Sequence, residues 1–106
     1  MKGEFSKRVF DLALSIPEGR VTTYGAIAKA AGGGTMASRS ITSILSKAPN
    51  PKAIPWHRIV YAGGKVWMAP EYEKERLKRY KREGIKLNEK GYIKDFEEIF
   101  YDFSEL

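Results

Sequence analysis

The side chains able to do chemistry in this chain are few. Pro55-Trp56-His57-Arg58 holds the single histidine of the 106 residues and one of its two tryptophans. There is no cysteine, which excludes a disulfide framework, a thiolate zinc site, an iron–sulfur cluster and a cysteine nucleophile. One histidine cannot build a multi-histidine metal centre, so neither a metal nor a cofactor is expected. His57 has no acid or nucleophile beside it in sequence, and a lone histidine is more often structural than catalytic. Trp56 offers apolar surface and a π-face, suited to a planar ligand or to ordinary core.

Charge narrows the partner. The formal net charge is +6, and from Gly19 to Pro70 there is no Asp or Glu. The same window carries Arg20, Lys29, Arg39, Lys47, Lys52, Arg58 and Lys65. Phosphates attract such a surface and carboxylates would oppose them, so an acid-free basic half suits a polyanion. The end of the chain is the reverse, with Asp95, Glu97, Glu98, Asp102 and Glu105 and no base after Asp95. No stretch approaches the ~18 apolar residues of a membrane span. The N-terminal segment lacks a signal-peptide core because Asp11 interrupts it. A cytoplasmic location is the expectation, with the nucleoid in a bacterium or the nucleus in a eukaryote.

These residues need elements to position them. Phe5, Val9, Leu12, Ala13 and Ile16 recur at helical spacing, which predicts an amphipathic helix over residues 4–15, broken by Pro17-Glu18-Gly19. After a short extended piece at Arg20-Val21-Thr22, Thr23 can cap a helix from about Tyr24 to Ala31, with Ile27 and Ala30/Ala31 inward. Gly32-Gly33-Gly34 ends it. A second helix is expected over residues 36–46, with Ile41, Ile44 and Leu45 on its apolar side. Helix, glycine-rich turn, helix is the helix-turn-helix pattern. The polar face of the second helix is Ala37, Ser38, Arg39, Ser40 and Ser43. Such small residues permit close approach to a backbone, and Arg39 is the only far-reaching group among them.

Gly63-Gly64 between Ile59–Tyr61 and Lys65–Trp67 reads as a hairpin, and a hairpin after a helix-turn-helix reads as a wing. A charged helix with Tyr72, Leu77 and Tyr80 should run over residues 71–82 and stop at Gly84. A small hairpin or loop follows around Asn88-Glu89-Lys90-Gly91. A last helix is expected near residues 95–104, with Phe96, Ile99, Phe100 and Phe103 as docking residues. The fold class is therefore mainly α with a small β wing.

At this point the chain resembles the O6-alkylguanine-DNA alkyltransferases. Their active-site signature is Pro-Cys-His-Arg, and Pro55-Trp56-His57-Arg58, preceded by Asn50-Pro51, matches it with Trp56 in the cysteine position. That replacement is the hallmark of the alkyltransferase-like members. Val21-Thr22-Thr23-Tyr24-Gly25, Ser38-Arg39-Ser40-Ile41 and Glu83-Gly84 match further landmarks in order. The resemblance covers about Phe5 to Gly84. The stretch Trp67-Met68-Ala69-Pro70 departs from the family pattern, and the tail from Ile85 lies outside its core. It thus divides the chain into a winged helix-turn-helix domain over residues 1–84 and an extension over residues 85–106, packed on the same domain through a short acidic helix.

The resemblance implies a monomeric protein that binds double-stranded DNA from the minor groove, flips out O6-alkylguanine and signals to nucleotide excision repair proteins. Tyr24 would rotate the phosphate 3′ to the lesion and Arg39 would fill the vacated stack, with Thr23, Ala37, Ser38, Ser40 and Ser43 at the DNA surface. Trp56, Pro55, Tyr24 and Val60 would line the alkylguanine pocket. Asn50, His57 and Glu83 match the hydrogen-bond chain that activates the transferase cysteine, here with no thiol to activate. Elementary chemistry agrees: an inserted side chain offsets part of the cost of unstacking, and a helix start favours a phosphate at Tyr24. Two other readings stay open at this stage. One is an enzyme, either an active alkyltransferase or a hydrolase using His57 with Glu83. The other is a generic winged-helix regulator, against which the poor base-reading capacity of Ala37, Ser38, Ser40 and Ser43 counts.

Overall fold

The computed structural model describes residues 2–33, 39–66 and 70–104. Helix α1, Lys2–Leu14, buries Val9 and Ala13 completely, and Ile16 follows them into the core just past its end. Strand β1, Thr22–Thr23, leads directly into α2, Tyr24–Ala30. The lead-in is set locally: the Thr23 hydroxyl oxygen accepts from the Ala26 N–H at 3.0 Å, satisfying a donor that the first turn leaves open. Ile27, Ala28 and Ala31 face inward, whereas Ala30 is exposed, so the inward stripe turns one residue away from the expected one.

Arg39 and Ser40 enter α3, Ile41–Ser46, through a tighter 3-10 turn. The described helix is thus shorter than the expected 36–46 span, and Ala37 and Ser38 lie outside the described residues. Ile41 and Leu45 are fully buried and pack with α1 and α2 around one core. Among the described residues no helix is long and apolar enough to cross a membrane.

Strand β2, Ile59–Val60, pairs in parallel with β1, Thr22 beside Ile59 and Thr23 beside Val60. Of the expected hairpin, the turn is described, whereas Trp67 at the end of its second arm lies outside the described residues. The turn is closed by Tyr61 N–H to Lys65 O at 2.9 Å, and among the described residues β2 also has a ladder partner from before the helix-turn-helix. The tail pairs with the segment after the turn: Lys65 bridges Tyr92, and Ile93 N–H donates to Gly64 O at 2.8 Å. Gly64 has φ +91, and a Cβ there would lie 2.9 Å from the Phe96 ring, so the small wing exists only because this position is glycine.

Helix α4, Glu73–Glu83, ends on Gly84 at φ 76, as expected of a left-handed cap. Tyr80 is its buried residue, while Tyr72 and Leu77 are exposed. Leu87 and Ile93 then close a small hairpin around Asn88, whose side-chain oxygen accepts from the Lys90 and Tyr92 N–H groups. Helix α5 is only Phe96–Ile99. The expected helix to residue 104 does not form, because the backbone from Phe100 is extended and bridges Val21. Val21 N–H donates to Ile99 O and Val21 O accepts from Tyr101 N–H, while Arg20 donates to the Ile99 and Phe100 carbonyls. The carbonyls a longer helix would need are already used. Tyr101 and Phe103 nevertheless reach the main core, Phe103 through a backbone φ of +70 rather than through helical spacing.

Candidate nucleic-acid interface

Among the described residues, two clefts border the side chains that the sequence singles out. The first, about 530 Å³, is bounded by Thr23, Tyr24, Arg39, Thr42 and Tyr61. Tyr24 opens α2 because Thr23 caps it, and Arg39 stands one residue before the N-cap of α3. The helix-turn-helix therefore brings Tyr24 and Arg39, fifteen positions apart, to the rim of one cavity. Burial pushes the Tyr24 phenol above its ordinary pKa, against the lowering effect of the nearby Arg76 charge. The phenol therefore keeps its proton at neutral pH and can donate it to a phosphate oxygen. The Tyr61 ring lies 5.5 Å from that of Tyr24, tilted by 44°. Ser40 and Ser43 are exposed and flank the first turn of α3.

Trp56 lies in the second cleft. The turn Trp56–Arg58 is one round of 3-10 helix. The indole Nε1–H donates to Pro51 O at 3.1 Å, and Arg76 Nη2 donates to the Trp56 carbonyl at 2.7 Å. The ring is thus tied along its edge and half-buried against the main core, with the rest facing the cleft. Pro55 and Val60, expected to line the same pocket, are buried. Val60 belongs to the second core with Val21, Val66 and Tyr80, so it supports the site from behind rather than facing a ligand. Among the described residues Tyr24 borders the first cleft and Trp56 the second.

Behind Trp56, Glu83 collects four donors. His57 Nε2 lies 2.6 Å from Oε2, Arg58 Nη2 donates to Oε2 at 2.7 Å and its Nε to Oε1 at 3.0 Å, and Gly19 N–H donates to Oε1 at 2.9 Å. Burial acts to raise the Glu83 pKa, but the Arg58, Gly19 and His57 hydrogen bonds outweigh it and bring it down to about 2. The carboxylate is therefore ionised, and the proton between it and His57 sits on the imidazole. Burial lowers the His57 pKa despite Glu83, which favours a neutral ring with Nε2 protonated. Arg58 also donates Nη1–H to Ile16 O at 3.0 Å. The Glu83 carboxylate thus ties the Trp56 turn and the Gly19 turn to the end of α4, and Arg58 extends the tie to Ile16 just past α1. Asn50 is not part of this chain: it is exposed, and its carbonyl accepts from the Ala53 N–H. Among the described residues no group of His, Asp and Glu gathers as a metal site.

A family model described as the DNA-binding domain of 6-O-methylguanine DNA methyltransferase matches residues 4–85. The chain belongs to this family. Within the family it is 36% identical over 90 residues to the DNA base-flipping protein of Escherichia coli K12, covering 84% of this chain and 68% of that one. It is also 34% identical over 84 residues to a methylated-DNA–protein-cysteine methyltransferase of Methanothermobacter thermautotrophicus, covering 79% of this chain and 46% of that one. The crystal structure of Schizosaccharomyces pombe Atl1 in complex with damaged DNA containing O6-carboxymethylguanine superposes with a TM-score of 0.72 at 26% identity, covering 93% of this chain and 95% of that one. That fold is a helix-turn-helix with a small β wing, which agrees with the fold class read from the sequence.

The site holds residues that sequence reading did not single out. Thr42 and Tyr61 border the Tyr24–Arg39 cavity, and Arg76 links Trp56 to Tyr80. Thr42 follows Arg39 by three positions on the same helical surface, a signal available from spacing alone. Arg76 precedes the core residue Tyr80 by four, but nothing local says that its head reaches Trp56.

Proposed function

We propose that this chain recognises O6-alkylguanine in duplex DNA by turning the base out of the stack toward Trp56, and that it leaves the alkyl group on the base. The observation that carries this reading is Trp56 itself. An indole held by Pro51 O stands where the transferases of the family carry cysteine, beside an intact His57–Glu83 pair. Indole carbon and nitrogen are not alkyl acceptors under these conditions, whereas the ring face suits a purine. The names of the Escherichia coli relative and of the Schizosaccharomyces pombe complex support the same reading.

Flipping costs a few kcal/mol of stacking, and less for a guanine whose pairing is already impaired by its O6 substituent. Arg39, exposed at the cavity rim, offsets part of that cost by entering the gap. Tyr24 donates to the backbone phosphate, and the acid-free surface supplies long-range attraction that weakens with salt. The protein acts as a monomer without a cofactor, and its bound state marks the lesion for nucleotide excision repair.

The test is binding of the purified protein to two duplexes that differ by one O6-methylguanine, followed by analysis of the recovered base. The expected result is at least about tenfold tighter binding to the lesion duplex, since lower unpairing cost alone is worth more than about 1 kcal/mol. The methyl group should remain on guanine at excess protein. Equal affinity for both duplexes overturns the recognition role, and methyl loss overturns the non-enzymatic one. Lesion-dependent stimulation of incision by added excision-repair proteins tests the signalling role.

A further inference from the structure

Lys86 and Lys94 set two like charges against each other on the small hairpin of the tail. Leu87 and Ile93 form an antiparallel bridge, flanked by Lys94 N–H to Lys86 O at 2.8 Å and Asn88 N–H to Tyr92 O at 2.8 Å. That pattern puts Lys86 directly opposite Lys94, with Cα atoms about 5.5 Å apart. Side chains alternate between the two faces of a strand, and Ile93 is buried in the second core with Leu87 packed against it. Lys86, Lys94 and Tyr92 therefore share the outer face. A second bridge adds a third cation: Lys65 stands opposite Tyr92, and its Nζ lies 5.7 Å from the centroid of the Tyr92 ring. All three lysines are exposed, and none is in an ion pair among the described residues. The acids nearest to Lys86 and Lys94 in sequence are Glu89 at the hairpin tip and Asp95, both exposed. Like charges directly opposite each other cost stability, so this face is better matched to an anion than to water alone.

We propose that Lys86 and Lys94 together grip one phosphate of the DNA backbone beside the lesion, with Lys65 on a neighbouring phosphate, so that the segment after residue 85 takes part in DNA binding. The proposal rests on the reading that this chain holds duplex DNA at the Tyr24–Arg39 cavity. Position favours a DNA strand over an acidic protein. Tyr61 and Ala62 border that cavity, and Tyr61 N–H reaches Lys65 O across one tight turn. Lys65 then faces Tyr92, and Lys94 faces Lys86, with successive strands about 4.8 Å apart. The three lysines thus continue outward from the rim of the cavity, along the course of a backbone leaving it. The Tyr92 ring holds the Lys65 head by a cation–π contact, which limits the freedom lost on binding. Lys86 and Lys94 lie beyond residues 4–85, the part of the chain that the family model matches.

The experiment measures binding to a guanine duplex and an O6-methylguanine duplex by fluorescence anisotropy across a salt series. Lys86→Gln/Lys94→Gln should weaken binding to both duplexes by about tenfold at fixed salt. The slope of log affinity against log salt should become shallower by about 1, the mark of one lost phosphate contact. The ratio between the two duplexes should not move, because the lysines touch backbone and not the base. Lys86→Arg/Lys94→Arg should bind within about twofold of wild type, since arginine also grips phosphate. Shortening the duplex on one side of the lesion should remove the difference between wild type and the Gln variant, and shortening it on the other side should not. Both lysines are exposed, and thermal melts should find the Gln variant at least as stable as wild type. Unchanged affinity and slope overturn the proposal and leave the patch to an acidic protein. A loss confined to the O6-methylguanine duplex overturns it, as does a loss that no shortening removes, which is the effect of net charge alone. Failure of the lesion-recognition reading looks different: wild type would bind both duplexes alike while the Gln variant still lost its phosphate contact.

Discussion

Replacing Glu83 by Gln asks whether the polar cluster behind Trp56 is a scaffold. Glu83 is held at a pKa of about 2, against an ordinary value of 4.5, by Arg58, Gly19 and His57 working against burial. Each unit is worth about 1.4 kcal/mol, so the ionised carboxylate contributes about 3 kcal/mol, and about 2 kcal/mol once screening is allowed for. Because the folded pKa is depressed, this stability is fully present above about pH 4.5 and is lost as pH falls from there toward 2. Glu83→Gln keeps a carbonyl for Gly19 N–H but removes the charge that faces Arg58. Urea unfolding at neutral pH should then show a loss of about 2 kcal/mol, or roughly 8 °C in Tm for a domain of this size. The difference between wild type and variant should shrink steadily between pH 4.5 and 2. A constant difference across that window, or none at pH 7, would refute the assignment of the stability to this carboxylate.

Further outcomes can be stated briefly. Arg39→Ala should weaken binding to an O6-methylguanine duplex by about thirtyfold, since it removes both a charge and the stack-filling group, whereas Lys65→Ala should cost about threefold as one phosphate contact. Lys65 sits over the Tyr92 ring at the wing, away from the Tyr24–Arg39 cavity, so comparable losses in titrations would count against the insertion role of Arg39. Trp56→Cys should transfer little or no methyl in a single-turnover mass assay, because losing the indole also releases its tie to Pro51 O; stoichiometric transfer would show the His57–Glu83 pair still competent. Thr22→Val should stabilise the fold by about 1 kcal/mol in thermal melts, since the buried Thr22 hydroxyl lacks a partner among the described residues, and a destabilised variant would reveal one.

Much of the site was legible in the chain because its signals are local. The Thr23 cap sets where α2 begins and so where Tyr24 points. The acid-free run from Gly19 to Pro70 marks a basic half, and Pro55-Trp56-His57-Arg58 lies in the stretch that matches the family. Pairing across distance was not legible. Nothing in Ile59-Val60 says that it pairs with Thr22-Thr23, because backbone hydrogen bonds carry no side-chain label. The phenylalanine spacing in the tail read as one helix, yet Val21 took the backbone groups that a helix needs.

The sequence by itself determined that α2 begins at Tyr24 behind the Thr23 cap, and it carries the Pro55-Trp56-His57-Arg58 segment on which the family resemblance rests. Tertiary structure decided that Glu83 serves Arg58 and Gly19 as well as His57, that Asn50 stands apart from them, and that Arg76 holds the Trp56 turn. It also brought Lys65, Lys86 and Lys94 to one outer face. The physical reason is range: caps, helix periods and charge runs act within a few residues, whereas ion pairs and clefts form between segments that only packing of the core brings together.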